Sequence, residues 1–178
     1  ALLQRRKMIE SNTKKIGFWM FFLFWLMVLG LLVFIFDQVI DYREHPNQSV
    51  NTVLTDQQKT VTLKRNRRGH YRVDGMINGQ VVTLLVDTGA TTVSVSEAFA
   101  RKVGMPFGRQ VLSYTANGQV LGHASRIDKV EVGEIVVRNV QAMILPNLEG
   151  DVLLGMSFLK HMDFSQRGQS LILQQRNP

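Results

Sequence analysis

The sequence predicts a mainly β domain, a small β-barrel or sandwich with one or two short helices, preceded by one transmembrane helix. Three observations carry that expectation. A run of 21 residues, "IGFWMFFLFWLMVLGLLVFIF" (16–36), has no charged or strongly polar side chain. Beyond residue 60 the chain breaks into runs rich in Val, Ile and Thr, each bounded by Gly or Asn. The stretch "LLVDTGATTVSV" (84–95) sets one carboxylate, Asp87, inside an apolar pattern that resumes at Val93 and Val95.

The 178 residues suffice for one modest domain and an attached segment. The chain contains no cysteine, which excludes disulfides, thiolate nucleophiles and Cys-ligated metals. A helix over 16–36 is roughly 30 Å long at about 1.5 Å per residue, the thickness of a bilayer core. A buried core helix would carry a polar stripe, and this run has none. A signal peptide has a shorter apolar core, about 7–15 residues, and a small-residue cleavage site, whereas "DQVIDYRE" follows here. Arg5, Arg6, Lys7, Lys14 and Lys15 precede the span against Glu10, while Asp37, Asp41 and Glu44 follow it against Arg43. The positive-inside tendency then places residues 1–15 in the cytoplasm and the rest across the membrane. In a bacterium this would be a single-pass inner-membrane protein with a periplasmic C-terminal domain. The net charge of +7 falls to +3 from Asp37 onward, with 16 basic and 13 acidic residues. That is an ordinary soluble surface, and no nucleic-acid partner is indicated. The basic run "LKRNRRGHYR" (63–72) reads as a solvated edge or a patch near anionic headgroups.

Residues 37–59 are polar and aperiodic and read as a linker, so the folded domain is expected over 60–178. Strands are expected at 60–65, 70–77 and 80–87, with Asn78-Gly79 as a two-residue type I′ hairpin turn. "TVSV" (92–95) continues as strand. Ser96 then caps a helix over 96–105, whose Ala98, Phe99, Ala100 and Val103 form the apolar side and which Gly104 ends. Strands flank turns at Asn117-Gly118 and Gly133, "DVLLGMSFLKHM" (151–162) reads as strand end, Gly turn and short helix, and "SLILQQ" (170–175) as a last strand. Mostly short antiparallel strands are expected, with no internal repeat.

Asp87 stands out chemically. A buried, unpaired carboxylate costs several kcal/mol, about 2–7 even for a neutral polar group, so its loop must hold it. Gly89 leaves room for its own N–H to approach the carboxylate and permits a conformation that a Cβ would obstruct, and the Thr88 hydroxyl offers a donor and an acceptor. The four histidines, His45, His70, His123 and His161, have no metal-ligand spacing. No cofactor is implied.

The pattern apolar-apolar-Asp-Thr-Gly-Ala followed by Thr-Thr-Val-Ser-Val resembles the active-site signature of the aspartic peptidases. It is most similar to the retropepsin-like, single-motif branch, and within it to membrane-anchored bacterial members. The resemblance covers roughly residues 60–175. It implies a small closed β-barrel of the retropepsin-like acid-protease fold and an aspartic endopeptidase. It also implies Asp87 as the catalytic carboxylate, with Thr88, Gly89 and Ala90 supporting the loop. The hairpin "SYTANGQVLGHA" (113–124) stands where a retropepsin has its flap, which nominates Tyr114, Thr115, Ala116, Asn117 and Gly118 as substrate-binding residues. "DVLLGMSFL" (151–159) resembles the hydrophobic-hydrophobic-Gly segment and helix behind the catalytic loop, although "LLGMSFL" replaces the Gly-Arg-Asp/Asn type of viral enzymes.

The chain has one Asp-Thr-Gly. Asp74, Asp128, Asp151 and Asp163 stand in other contexts and read as turn or surface acids. A two-carboxylate dyad therefore requires a second copy of the chain, and confinement of both copies to one bilayer favours it. Expected partners are a peptide or protein substrate, a second copy and the lipid bilayer, with other membrane subunits as a further class. The rival reading keeps the fold without catalysis: a peptide-binding or scaffolding module in a membrane complex, which a persistent monomer would favour.

Overall fold

The computed structural model describes residues 2–115, 118–148, 150 and 152–176, without the side chains of residues 2–16, 41, 42 and 115. The chain divides into two compact units, Ala1–Tyr42 and Arg43–Pro178.

Helix α1 (Leu2–Glu44) is continuous and holds the apolar run. Its stretch Gly17–Ile40 is long and apolar enough to cross a membrane, and none of it is buried by the rest of the fold. The helix continues beyond the expected end at residue 36, because nothing in "DQVIDYRE" breaks it: Gly and Pro are absent until Pro46.

The second unit is built from strands. β1 (Thr52–Leu54), β2 (Gln58–Lys64), β10 (Asp163–Arg167) and β11 (Ser170–Arg176) form an antiparallel sheet in the order β1-β2-β11-β10. A seven-stranded sheet takes the remaining strands. These are β3 (Arg72–Ile77), β4 (Gln80–Val86), β5 (Val93–Ser96), β6 (Gln110–Thr115), β7 (Gly118–Val132), β8 (Ile135–Leu145) and β9 (Val152–Leu154). Its order is β3-β4-β9-β5-β8-β7-β6, and an additional β3–β7 pairing at Met76↔Glu131 and Ile77↔Val130 brings the sheet back upon itself. The inward faces supply one core, with Val73, Ile77, Leu84, Val93, Val95, Ile127, Val130, Ile144, Leu154 and Phe158 all at 0% exposure. Val61, Leu63 and Leu173 carry that core into the four-stranded sheet.

Local signals hold where expected. Asn78 and Gly79 both take positive φ, 49° and 82°, as a type I′ turn requires. The Ser96 hydroxyl accepts the Phe99 N–H at 3.2 Å and starts helix α2 (Glu97–Lys102). Ala100 is buried beneath it, while Ala98 faces outward.

Three features differ from the sequence reading. Residues 37–59, read as a linker, contain the end of α1, strand β1 and Asn47, which is 4% exposed. The Asn47 amide donates to the Lys64 and Arg72 carbonyls at 2.8 and 2.7 Å, and its oxygen accepts the Lys64 N–H at 2.7 Å. One side chain thus completes the backbone bonding of two strands, which no periodicity announces. The pairings are mostly antiparallel as expected, but nothing in the sequence announces the two parallel ones, β4–β9 and β5–β8. Finally, β10 is fully exposed along its length and so lacks the alternation that marks a half-buried strand.

Candidate active site

Asp87 follows directly on β4. The parallel neighbour β9 brings the Leu154 carbonyl to the Asp87 N–H at 3.2 Å, so the residue leaves the sheet with its backbone still tied. The chain then turns, with the Ala90 N–H bonded to the Asp87 carbonyl at 3.2 Å. The Gly89 N–H donates to the Asp87 Oδ1 at 2.9 Å. A charged acceptor takes about twice the benefit of a neutral one from such a bond. The other carboxylate oxygen has no hydrogen-bond partner among the described residues. Asp87 is half-buried and Thr88 and Gly89 are exposed, so the carboxylate sits at the rim of the fold rather than inside it.

Gly89 is favoured by proximity rather than by φ. Its φ is not positive, and a Cβ there would stand 3.2 Å from the Asp87 Oδ1. This replaces the sequence-based expectation of an obstructed backbone conformation. The Thr88 hydroxyl has no partner among the described residues, and the residue is exposed. Ala90 is half-buried, and its carbonyl accepts the Met156 N–H at 2.8 Å.

Behind the loop lies the segment from β9 into helix α3 (Met156–Leu159). A Cβ on Gly155 would meet the carbonyl oxygens of Thr92 and Ala90, the latter at 2.6 Å, so only glycine allows the two segments this close. Ser157, 4% exposed, completes the contact. Its hydroxyl donates to the Gln141 carbonyl at 2.7 Å and accepts the Val93 N–H at 3.0 Å, while its own N–H reaches the Thr91 carbonyl at 3.0 Å. The sequence reading did not single out Ser157. The one available signal was a small hydroxyl residue within the apolar stretch "LLGMSFL".

The candidate flap is the β6–β7 hairpin. The two strands pair from Gln110↔His123 out to Thr115↔Gly118, whereas β8 pairs with β7 only from His123 onward. The outer part is therefore a two-stranded arm. Its base is held by the His123 Nδ1 and Gly108 carbonyl contact at 3.0 Å, by an edge-on Phe107–His123 pair, and by Arg101 over the Phe107 ring at 4.7 Å. Leu112 and Leu121 pair across the arm and are about half exposed, and Tyr114 is 77% exposed. Gly118 opens β7 with φ 107°. Thr115 ends β6, and Ala116 and Asn117 lie outside the described residues.

Other carboxylates are engaged elsewhere. Asp74 accepts the Thr83 hydroxyl at 2.9 Å, and Asp163 meets Arg176 at 3.6 Å. Asp151 lies outside the described residues. What the described site presents is thus one loop-held carboxylate with one oxygen open.

The sequence profile of the family described as "gag-polyprotein putative aspartyl protease" matches residues 73–161, from β3 through α3. An uncharacterized protein encoded in the cobV 5′ region of a Sinorhizobium species is 31% identical over 121 residues, 65% of this chain and 52% of its own length. The chain therefore spans about half the length of that curated relative. Among solved structures, a retropepsin-like aspartic protease from Rickettsia conorii is similar at 25% identity and a TM-score of 0.55, over 72% of this chain and 96% of that one. The EIAV protease is similar at 17% identity and a TM-score of 0.45, over 55% and 92%.

Proposed function

The chain belongs to the retropepsin-like aspartyl protease family, and from that premise we propose that it is a membrane-anchored aspartic endopeptidase working as a homodimer, with Asp87 of each copy forming the catalytic dyad. The observation that carries this reading is the Asp87 loop: a carboxylate oriented by the Gly89 N–H, with one oxygen left open at an exposed turn. Two such carboxylates brought together cannot both ionise at moderate pH, so they hold one proton between them and titrate as a pair. The ionised member takes a proton from a water lying between them. The oxygen of that water attacks the peptide carbonyl, which the protonated member polarises by a hydrogen bond. The tetrahedral intermediate then collapses, the C–N bond breaks and the amine leaves with a proton from the dyad. Each step redistributes protons without a covalent acyl-enzyme.

The exposed Thr88 suits a role in locking the two loops across the dimer axis. The β6–β7 arm, with Tyr114 and the Leu112–Leu121 pair, suits closure over an extended peptide. Gly17–Ile40 suits the anchor, and the basic residues before it suit a cytoplasmic N-terminus with the β domain in the periplasm.

The test is cleavage of a peptide library by the whole chain in detergent micelles, with Asp87→Asn alongside. Asparagine keeps an oxygen for the Gly89 N–H, so the loop stays built while the titratable group is lost. Activity is expected to fall by about 10²–10⁴ or more, the contribution of a positioned acid–base group. Equal cleavage by both proteins overturns the catalytic assignment. A folded dimer that cleaves nothing points to the peptide-binding module.

A further inference from the structure

We infer that this peptidase acts on membrane-anchored polypeptides, cutting them within about ten residues of their own membrane span, because Glu44, four residues past its apolar stretch, lines a cavity on the strand pair that leads to Asp87. The inference rests on the anchor and peptidase readings above and names the substrate class they leave open.

Glu44 is the last residue of α1, four residues after Ile40, where the apolar stretch ends. Glu44 is held by the β domain at two points. Its carboxylate meets the Arg68 Nε at 3.3 Å, and its carbonyl accepts from the Asn66 amide at 3.2 Å. Asn66 is itself fixed, 6% exposed, with its side-chain oxygen accepting the N–H groups of Arg68 and His70 at 3.0 and 2.9 Å. Three residues on, Asn47 ties the chain to β2 and β3. Ile40 therefore lies only four residues from a residue fixed within the second unit.

Glu44 also lines a cavity of about 270 Å³, together with Arg68, His70, Leu85 and Leu153. Leu85 and Leu153 are opposite one another in the β4–β9 register, two residues before Asp87 and Gly155 respectively. Side chains two apart on an extended strand share a face and lie about 7 Å apart, so the floor of this cavity and the Asp87 carboxylate face the same way. A peptide lying across Asp87 in extended form would set a neighbouring side chain into it.

The reach follows from chain geometry alone. Whatever angle the helix takes, four residues span at most about 14 Å even when fully extended. With the cavity and the strand spacing added, Asp87 is held within about 30 Å of the end of the apolar stretch. An extended substrate covers that distance in roughly nine residues. Scissile bonds far from the bilayer lie outside this radius, and tethering enzyme and substrate to one surface raises their effective concentration inside it.

The test uses the whole chain in proteoliposomes and single-span reporters bearing a sequence cut by the library assay. Stiff Pro-rich spacers, about 3.1 Å per residue, set that sequence at about 15, 30, 60 and 90 Å from the reporter's span. Cleavage is expected at the two short settings and should fall at least about tenfold at the two long ones. A second protein carries about thirty Gly/Ser residues between Tyr42 and Arg43, the junction of the two compact units, and should regain cleavage at about 60 Å. Spacing-independent cleavage, or a profile that the insertion leaves unchanged, overturns the inference while the peptidase reading stands. Failure to cut the same sequence as a free peptide in detergent overturns the peptidase reading and this inference with it. Release of the chain from vesicles by alkaline carbonate does the same for the anchor.

Discussion

A single hydroxyl shows how closely the Asp87 loop is tied to the segment behind it. Ser157 holds the Val93 N–H and the Gln141 carbonyl, 64 and 16 residues away in sequence. The Val93 N–H lies in the interior, where an unmade backbone hydrogen bond costs about 1–3 kcal/mol. Ser157→Ala is therefore expected to destabilise the domain by about that amount, read as a lower urea midpoint at unchanged slope. It should also lower kcat more than KM, because the loop from Asp87 to Val93 is steadied through this contact. Asp87 was legible in the sequence because the Asp-Thr-Gly signal is local, and the Gly89 N–H contact spans only two residues. Ser157 was not, since a serine's value depends on which distant groups it finds.

Among the elements, those with local chemistry were the readable ones. The Asn78-Gly79 turn, the Ser96 cap and the glycine between β9 and α3 each carry their own signal. β1 and β10 do not: β1 has three residues, and β10 is an exposed edge whose pairing with β11 alone makes it a strand. Asn47 belongs with them, as a loop residue joining β2 to β3 through three side-chain hydrogen bonds. Asn47→Ala leaves two carbonyls and one N–H of those strands without this partner. The expected cost is about 2–4 kcal/mol, since buried networks lose more than one bond's worth when a shared member goes. Hydrogen exchange should show the loss first at the Lys64 and Asp74 amides, the latter bonded to the Asn47 carbonyl at 3.3 Å. Uniform deprotection across the domain would mean that Asn47 serves global stability only.

For the whole molecule, the proposed dyad sets the assembly to be tested. One Asp-Thr-Gly per chain means that a dyad needs two chains, and an isologous pair presents the same loop twice about one axis. Mixing the chain with excess-free equal parts of Asp87→Asn, under exchange of subunits, should leave about one quarter of the activity, because only pairs with two intact carboxylates work. Retention of about one half would mean that each copy acts alone.

The sequence by itself determined the apolar helical stretch, most strands and turns, the capped helix and the turn after Asp87. Each of these rests on residues within a few positions of one another, where periodicity, φ preference and short-range hydrogen bonding act. Only the tertiary structure decided that β4 and β9 run parallel, that Gly155 and Ser157 brace the loop, and that Glu44 shares a cavity with Leu85 and Leu153 of those strands. Those contacts join residues far apart in the chain, and their energy exists only once the backbone has brought the partners within hydrogen-bonding or van der Waals distance.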